Sequence, residues 1–105
     1  MNDSKLKVLH QTFKILVDNE IKSIRIDYLL SSDLLSKNFS NSDIRFIYKL
    51  TYGVIRNKSK LDYYISKFYD GKFKKLLTKY KIILRMGLYQ LFYMNSVPNY
   101  AAVDT

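Results

Sequence analysis

Arg45, Lys49, Tyr52 and Arg56 recur at i, i+4, i+7 and i+11, a spacing that aligns side chains along one face of a helix. Three cations and a phenol ring include no general base, nucleophile or metal set. The chemistry open to them is to neutralise phosphates and to stack on an unpaired base. A second group, Lys72, Lys74, Lys75, Lys79 and Lys81, falls at a loop and helix start, where unpaired backbone amides add to the attraction for an anion. Each pattern has a plainer reading: a solvated helix face with Tyr52 tucked against a neighbour, and a lysine-rich loop that keeps the domain soluble. Asp43, Asp62 and Arg85 stand in or beside apolar sequence. A guanidinium buried there requires a carboxylate, and Asp43 or Asp62, each near the start of another helix, can supply it. These three are therefore expected to be architectural. Gly87, two residues beyond Arg85, is expected to permit close approach of a neighbouring helix.

Helices must position these side chains. Leu6, Leu9, Phe13, Leu16 and Val17 form an apolar stripe that predicts a first helix over roughly residues 4 to 20. Ile26, Leu29, Leu30 and Leu34 give a weaker second one, with Phe39 as a core anchor in the polar stretch that follows. Ser40 precedes Asp43 by three positions, a capping arrangement, and Ile44, Ile47, Tyr48, Thr51 and Ile55 then define a third helix. Ser59 and Asp62 repeat that arrangement ahead of Leu61, Tyr64, Ile65, Phe68 and Tyr69, and Asp70–Gly71 ends this fourth helix. From Ile82 to Met94 only Arg85, Gly87 and Gln90 interrupt apolar residues, which predicts a buried central helix with Ile83, Leu84, Leu88, Leu91 and Phe92 inside. Pro98 breaks it, and "NYAAVDT" reads as the opening of a further helix that is not completed.

Composition agrees with an all-α class. The 105 residues suit one domain, 48% apolar content suffices for a core, and only three glycines and one proline are available for turns. With no cysteine and a single histidine, His10, thiolate metal sites, cysteine nucleophiles and disulfides are excluded from these residues. His10 reads as an incidental surface side chain. "MNDSKLKVLH" lacks the apolar stretch of a signal peptide and no tract is long enough for a membrane span, so a cytoplasmic setting without membrane contact is expected. Residues 1–52 carry 8 basic and 6 acidic side chains and residues 53–105 carry 10 and 3, so the second half holds +7 of the net +9. That asymmetry fits a polyanionic partner such as RNA, although biased base composition in the gene would also inflate lysine.

Four pieces in order, "DIRFIYKLTYGVIR" (43–56), "LD" (61–62), "ILRMGLYQLFYM" (83–94) and "VPNYAAVDT" (97–105), resemble the NusB-like family. The resemblance implies a compact helical RNA-binding bundle and places Asp43, Asp62 and Arg85 at positions of the family pattern. "YGVIR" and "GLYQLFYM" followed by "VPNYAAV" look like the N-terminal domain of bacterial cytosine-5 methyltransferases acting on small-subunit ribosomal RNA. The family's freestanding transcription antitermination factors, which work with a ribosomal protein partner, more often have Glu where Gln90 stands. They also tend to carry an arginine-rich N-terminus where this chain offers Lys5, Lys7 and Lys14. On the methyltransferase resemblance, residues 1–105 form a single RNA-binding domain cut from a longer protein. S-adenosylmethionine and the catalytic cysteines then belong to the part beyond it, and these residues are catalytically silent, with no cofactor and no metal of their own.

Overall fold

The computed structural model describes residues 3–31, 35–36, 38–69 and 72–94, and among these every regular element is helical. In chain order they are α1 (Asp3–Lys22), α2 (Ile26–Leu29), α3 (Asn41–Arg56), α4 (Lys58–Tyr69), a 3-10 turn (Lys72–Lys75), α5 (Thr78–Tyr89) and a π-helical turn (Gln90–Met94) that prolongs α5. The chain is all-α. No helix among the described residues is long and apolar enough to cross a membrane. The expected stop at Asp70–Gly71 and the expected final helix after Pro98 lie outside the described residues.

Local chemistry sets the ends of these elements. α1 closes on Ser23, which takes the left-handed conformation (φ 58°) usual for glycine after a helix. There the Ile24 amide donates to the Asp18 carbonyl, and the Asn19 side chain donates to the Ile24 carbonyl. Ser40 caps α3, its hydroxyl accepting from the Asp43 amide at 3.1 Å. The second expected cap does not form. α4 begins at Lys58, one residue after α3 ends, and Asn57 makes the corner by donating its side-chain amide to the Gly53 carbonyl. Ser59 is thus already inside α4, and Asp62 is released for another partner.

α1 and α3 form the middle of the bundle. On one side Val8, Ile15 and Ile47 pack with Leu30 and Leu35; on the other Leu16, Leu50 and Val54 pack with Leu61 of α4 and with Ile82, Met86 and Tyr89 of α5. Each fully buried side chain of this kind contributes roughly 1.5–3 kcal/mol. Because α1 has neighbours on two sides, its buried arc is wider than the expected stripe. Val8, Thr12 and Ile15 are buried, whereas Leu6 is exposed.

The apolar segment near the end of the chain departs most from expectation. α5 contacts α1, α3 and α4, but it is not buried all round. Its inward face is Ile82, Arg85, Met86 and Tyr89, while Ile83, Leu91 and Phe92 are each at least half exposed, and Leu84 and Leu88 are half-buried. The charged residue that looked like an interruption marks the buried side. Gly87 points outward, and a Cβ there would meet nothing within 4 Å, so among the described residues no neighbouring helix approaches it. In α4 the stripe is likewise narrower than expected: Leu61 and Ile65 are buried, but Tyr64 and Phe68 are exposed.

Arg85 is 3% exposed and ties three helices together. Its Nε and one terminal nitrogen donate to the two carboxylate oxygens of Asp62 at 2.7 and 3.0 Å, and its other terminal nitrogen donates to Glu20 at 3.2 Å. Glu20 in turn lies 3.4 Å from Lys58. Asp43, the other expected partner, gives its backbone amide to the Ser40 cap and is not among the partners found for Arg85.

Removing one carboxylate from a buried guanidinium leaves an uncompensated charge. Asp62→Ala should therefore cost about 3 kcal/mol, the lower end for such pairs because Asp62 keeps partial exposure. Asp43→Ala should cost less than about 1 kcal/mol, the value of a carboxylate in a first helical turn. Gly87→Ala should instead stabilise by about 1 kcal/mol through helix propensity. Urea unfolding followed by circular dichroism checks all three, and equal losses for the two Asp variants would contradict the assignment of Asp62 as the main partner.

Candidate nucleic-acid interface

The outer face of α3 carries the cationic stripe, and the fold turns it into one wall of a groove. Arg45, Lys49, Tyr52 and Arg56 line an open groove of about 750 Å³ together with Ile44, Tyr48, Gly53, Asn57 and, from α5, Tyr89. Arg45, Lys49 and Arg56 are exposed, Tyr52 is half-buried, and no carboxylate lines the groove. The charged side chains that line it are all cationic.

The rings in the groove are held in place. The Tyr48 hydroxyl donates to the Leu30 carbonyl at the end of α2, fixing that ring, and Tyr52 lies 6.2 Å from it at 56°. The Arg56 guanidinium stands 5.5 Å from the Tyr52 ring centroid, within cation–π range. A phenol face and a guanidinium plane side by side are the two surfaces on which unpaired bases stack. The floor depends on Gly53: a Cβ there would collide with the Tyr89 ring, so that ring occupies the space a side chain would take. Tyr48, Gly53 and Tyr89 were not foreseen as parts of the site. The signal for the last two was a glycine in mid-helix together with a large ring on the buried stripe of α5.

The five clustered lysines lie elsewhere. Lys72, Lys74 and Lys75 project from the 3-10 turn, which is pinned by buried Phe73, and Lys79 and Lys81 stand in the first turn of α5. Lys81 rests 5.4 Å over the Phe73 ring and Lys79 5.4 Å over the Tyr80 ring. None of the five lines the groove. Tyr89, which does, is 8 to 10 residues further along α5, roughly 12 to 15 Å along the helix axis. The structure thus brings Arg45, Lys49, Tyr52 and Arg56 together and keeps the lysine cluster apart from them.

Among the described residues no group of His, Asp and Glu could hold a metal ion, and the acids near Arg85 are engaged in ion pairs. A match to known families settles the lineage, since the NusB family model covers residues 6–105. The chain belongs to the NusB family. Over 93 residues it is 36% identical to a protein of Synechocystis sp. (strain ATCC 27184 / PCC 6803 / Kazusa) named "Probable ribosomal RNA small subunit methyltransferase B", covering 89% of this chain and 21% of that one. A Bacillus subtilis (strain 168) protein of the same name is 29% identical over 99 residues, covering 94% of this chain and 22% of its own length. The NusB-family chain thus spans about a fifth of these relatives. No solved structure matches it at a comparable level of significance.

For this NusB-family domain the Gly53–Tyr89 contact gives a direct check on the groove. Gly53→Ala gains about 1 kcal/mol of helix propensity but must displace a ring packed in the core, an overpacking cost of roughly 1 to 3 kcal/mol. Its melting temperature should fall, whereas that of Gly87→Ala should rise. A rise in both would mean that Tyr89 does not press on α3.

Proposed function

We propose that this domain binds single-stranded or loop RNA in the α3 groove, and that it serves to bring small-subunit ribosomal RNA to a methyltransferase. The observation that carries the reading is the groove itself: Arg45, Lys49, Tyr52 and Arg56 converge on one cavity with aromatic walls and no acid. Cations supply affinity for the phosphates of any strand, while rings select unpaired bases over duplex, whose bases are already stacked. The cluster Lys72, Lys74, Lys75, Lys79 and Lys81, which presents charge without a groove, acts as a second contact to the RNA backbone. Ribosomal RNA as the target rests on the names of the two relatives.

Catalysis belongs, in this reading, to the remaining four-fifths of such proteins. S-adenosylmethionine is assigned to that part as well. The catalytic cysteines belong there too, since these 105 residues include none. The domain's contribution is to bind and orient.

Filter binding of a single-stranded ribosomal RNA fragment across a salt series tests the proposal. Tyr52→Ala should weaken binding by about 1 to 3 kcal/mol with little change in salt slope, as loss of one stacked base does. Changing Arg45, Lys49 and Arg56 to Gln should reduce the slope of log affinity against log salt by about 2, at about 0.7 for each single-strand phosphate contact. Neutralising the five clustered lysines should flatten it by up to about 3.5. Absence of salt-dependent binding by the unaltered domain would overturn the reading.

A further inference from the structure

The outward face of α4 is unlike an ordinary solvated helix face. Lys60, Tyr63, Tyr64, Lys67 and Phe68 follow one another at i, i+3, i+4, i+7 and i+8 and are all exposed, Phe68 to 82%. The stripe holds two cations, three rings and no acid; Asp62, two residues from Lys60, lies on the opposite side, where it pairs with Arg85. The rings do not stand alone. Tyr63 lies 5.3 Å from Tyr64, Tyr64 lies 5.5 Å edge-on to Phe92, Phe92 lies 6.2 Å from Tyr93, and Tyr93 stacks at 4.8 Å on Tyr89. Tyr89 is a wall of the α3 groove. An unbroken path of aromatic contacts therefore leads from the groove, around the end of α5, onto α4. Ammonium groups sit over it at both ends, Lys60 at 5.6 Å from the Tyr93 ring and Lys67 at 4.6 Å from the Tyr63 ring. Polar contact with Tyr93 also raises the pKa of the Lys60 ammonium above its ordinary value.

We infer that this path is the continuation of the RNA site: a single strand leaving the groove runs past Tyr89 and over Phe92, Tyr64 and Tyr63, its phosphates met by Lys60 and Lys67. The inference rests on the proposed function of the groove and extends it. A protein partner is the less suitable occupant. The centres of protein interfaces are depleted in lysine, whereas here the lysines stand among the rings. Interleaved cations and exposed rings are what a strand with a repeating charge and a repeating π-face requires.

The test uses the full chain and fluorescently labelled oligouridylates of about four and about twelve nucleotides, lengths chosen within the usual range of single-strand sites. The longer one should bind at least about tenfold more tightly, as added stacking and phosphate contacts provide. The double variant Tyr63→Ala/Tyr64→Ala should lose most of that gain and leave the affinity for the short oligomer unchanged. Lys60→Gln/Lys67→Gln should lower the salt slope for the longer oligomer by about 1.4 and leave that of the shorter one alone. All four side chains are exposed, and circular dichroism melts of each variant confirm the fold. Equal affinity for the two lengths, or a length gain that survives both double variants, would overturn the extension while leaving the groove standing, and would mark the α4 face as a protein-docking surface. Failure of the unaltered chain to bind either oligomer would overturn the groove and its extension together.

Discussion

A guanidinium leaves water only when its charge and its donors are met elsewhere, and Arg85 has left it almost completely. Asp62 of α4 meets it edge to edge and Glu20 of α1 meets the remaining nitrogen. Three helices that are distant in sequence are thereby given one common point. Apolar packing alone is tolerant of rotation about a helix axis, because one aliphatic side chain substitutes readily for another. A bidentate carboxylate pair is directional. Arg85 therefore fixes which face of α5 turns inward, and with it the placement of Tyr89 one turn further on.

That placement links architecture to surface. With Arg85 inward, Tyr89 is directed at α3, where the missing side chain of Gly53 receives it, and a groove opens between the two helices beside the cationic stripe. The same choice of phase sends Asp62 inward and leaves the opposite face of α4 to lysines and aromatic rings.

Much of this was legible in the sequence. The helical class followed from the scarcity of turn-formers, the start of α3 from Ser40 and Asp43, and the cationic stripe from its spacing. What escaped was phase. Ile82 to Met94 is apolar on nearly every side, so hydrophobicity carried no information about which side faces in; the expectation that Arg85 is buried against a carboxylate held, and that residue alone marked the inward side. Tyr64 and Phe68 were expected inside for the same reason: a ring is counted as core material although its polarizable face serves equally well at a wet surface. Glu20, separated from Arg85 by 65 positions, had no local signal. The cap expected from Ser59 and Asp62 failed because Asn57 turns the chain in a single residue and α4 has already begun.

That one-residue corner also has a mechanical meaning. A longer connection would let α3 and α4 swivel, but here Asn57 holds the last turn of one helix through the Gly53 carbonyl while its own carbonyl accepts from Leu61 in the first turn of the next. The angle between the helices, and the register of one surface against the other, are built into the hydrogen bonding of the corner. The cationic stripe and the aromatic face are thus carried by two helices whose junction is a single hydrogen-bonded residue, so a ligand that reaches both must follow the corner that Asn57 makes.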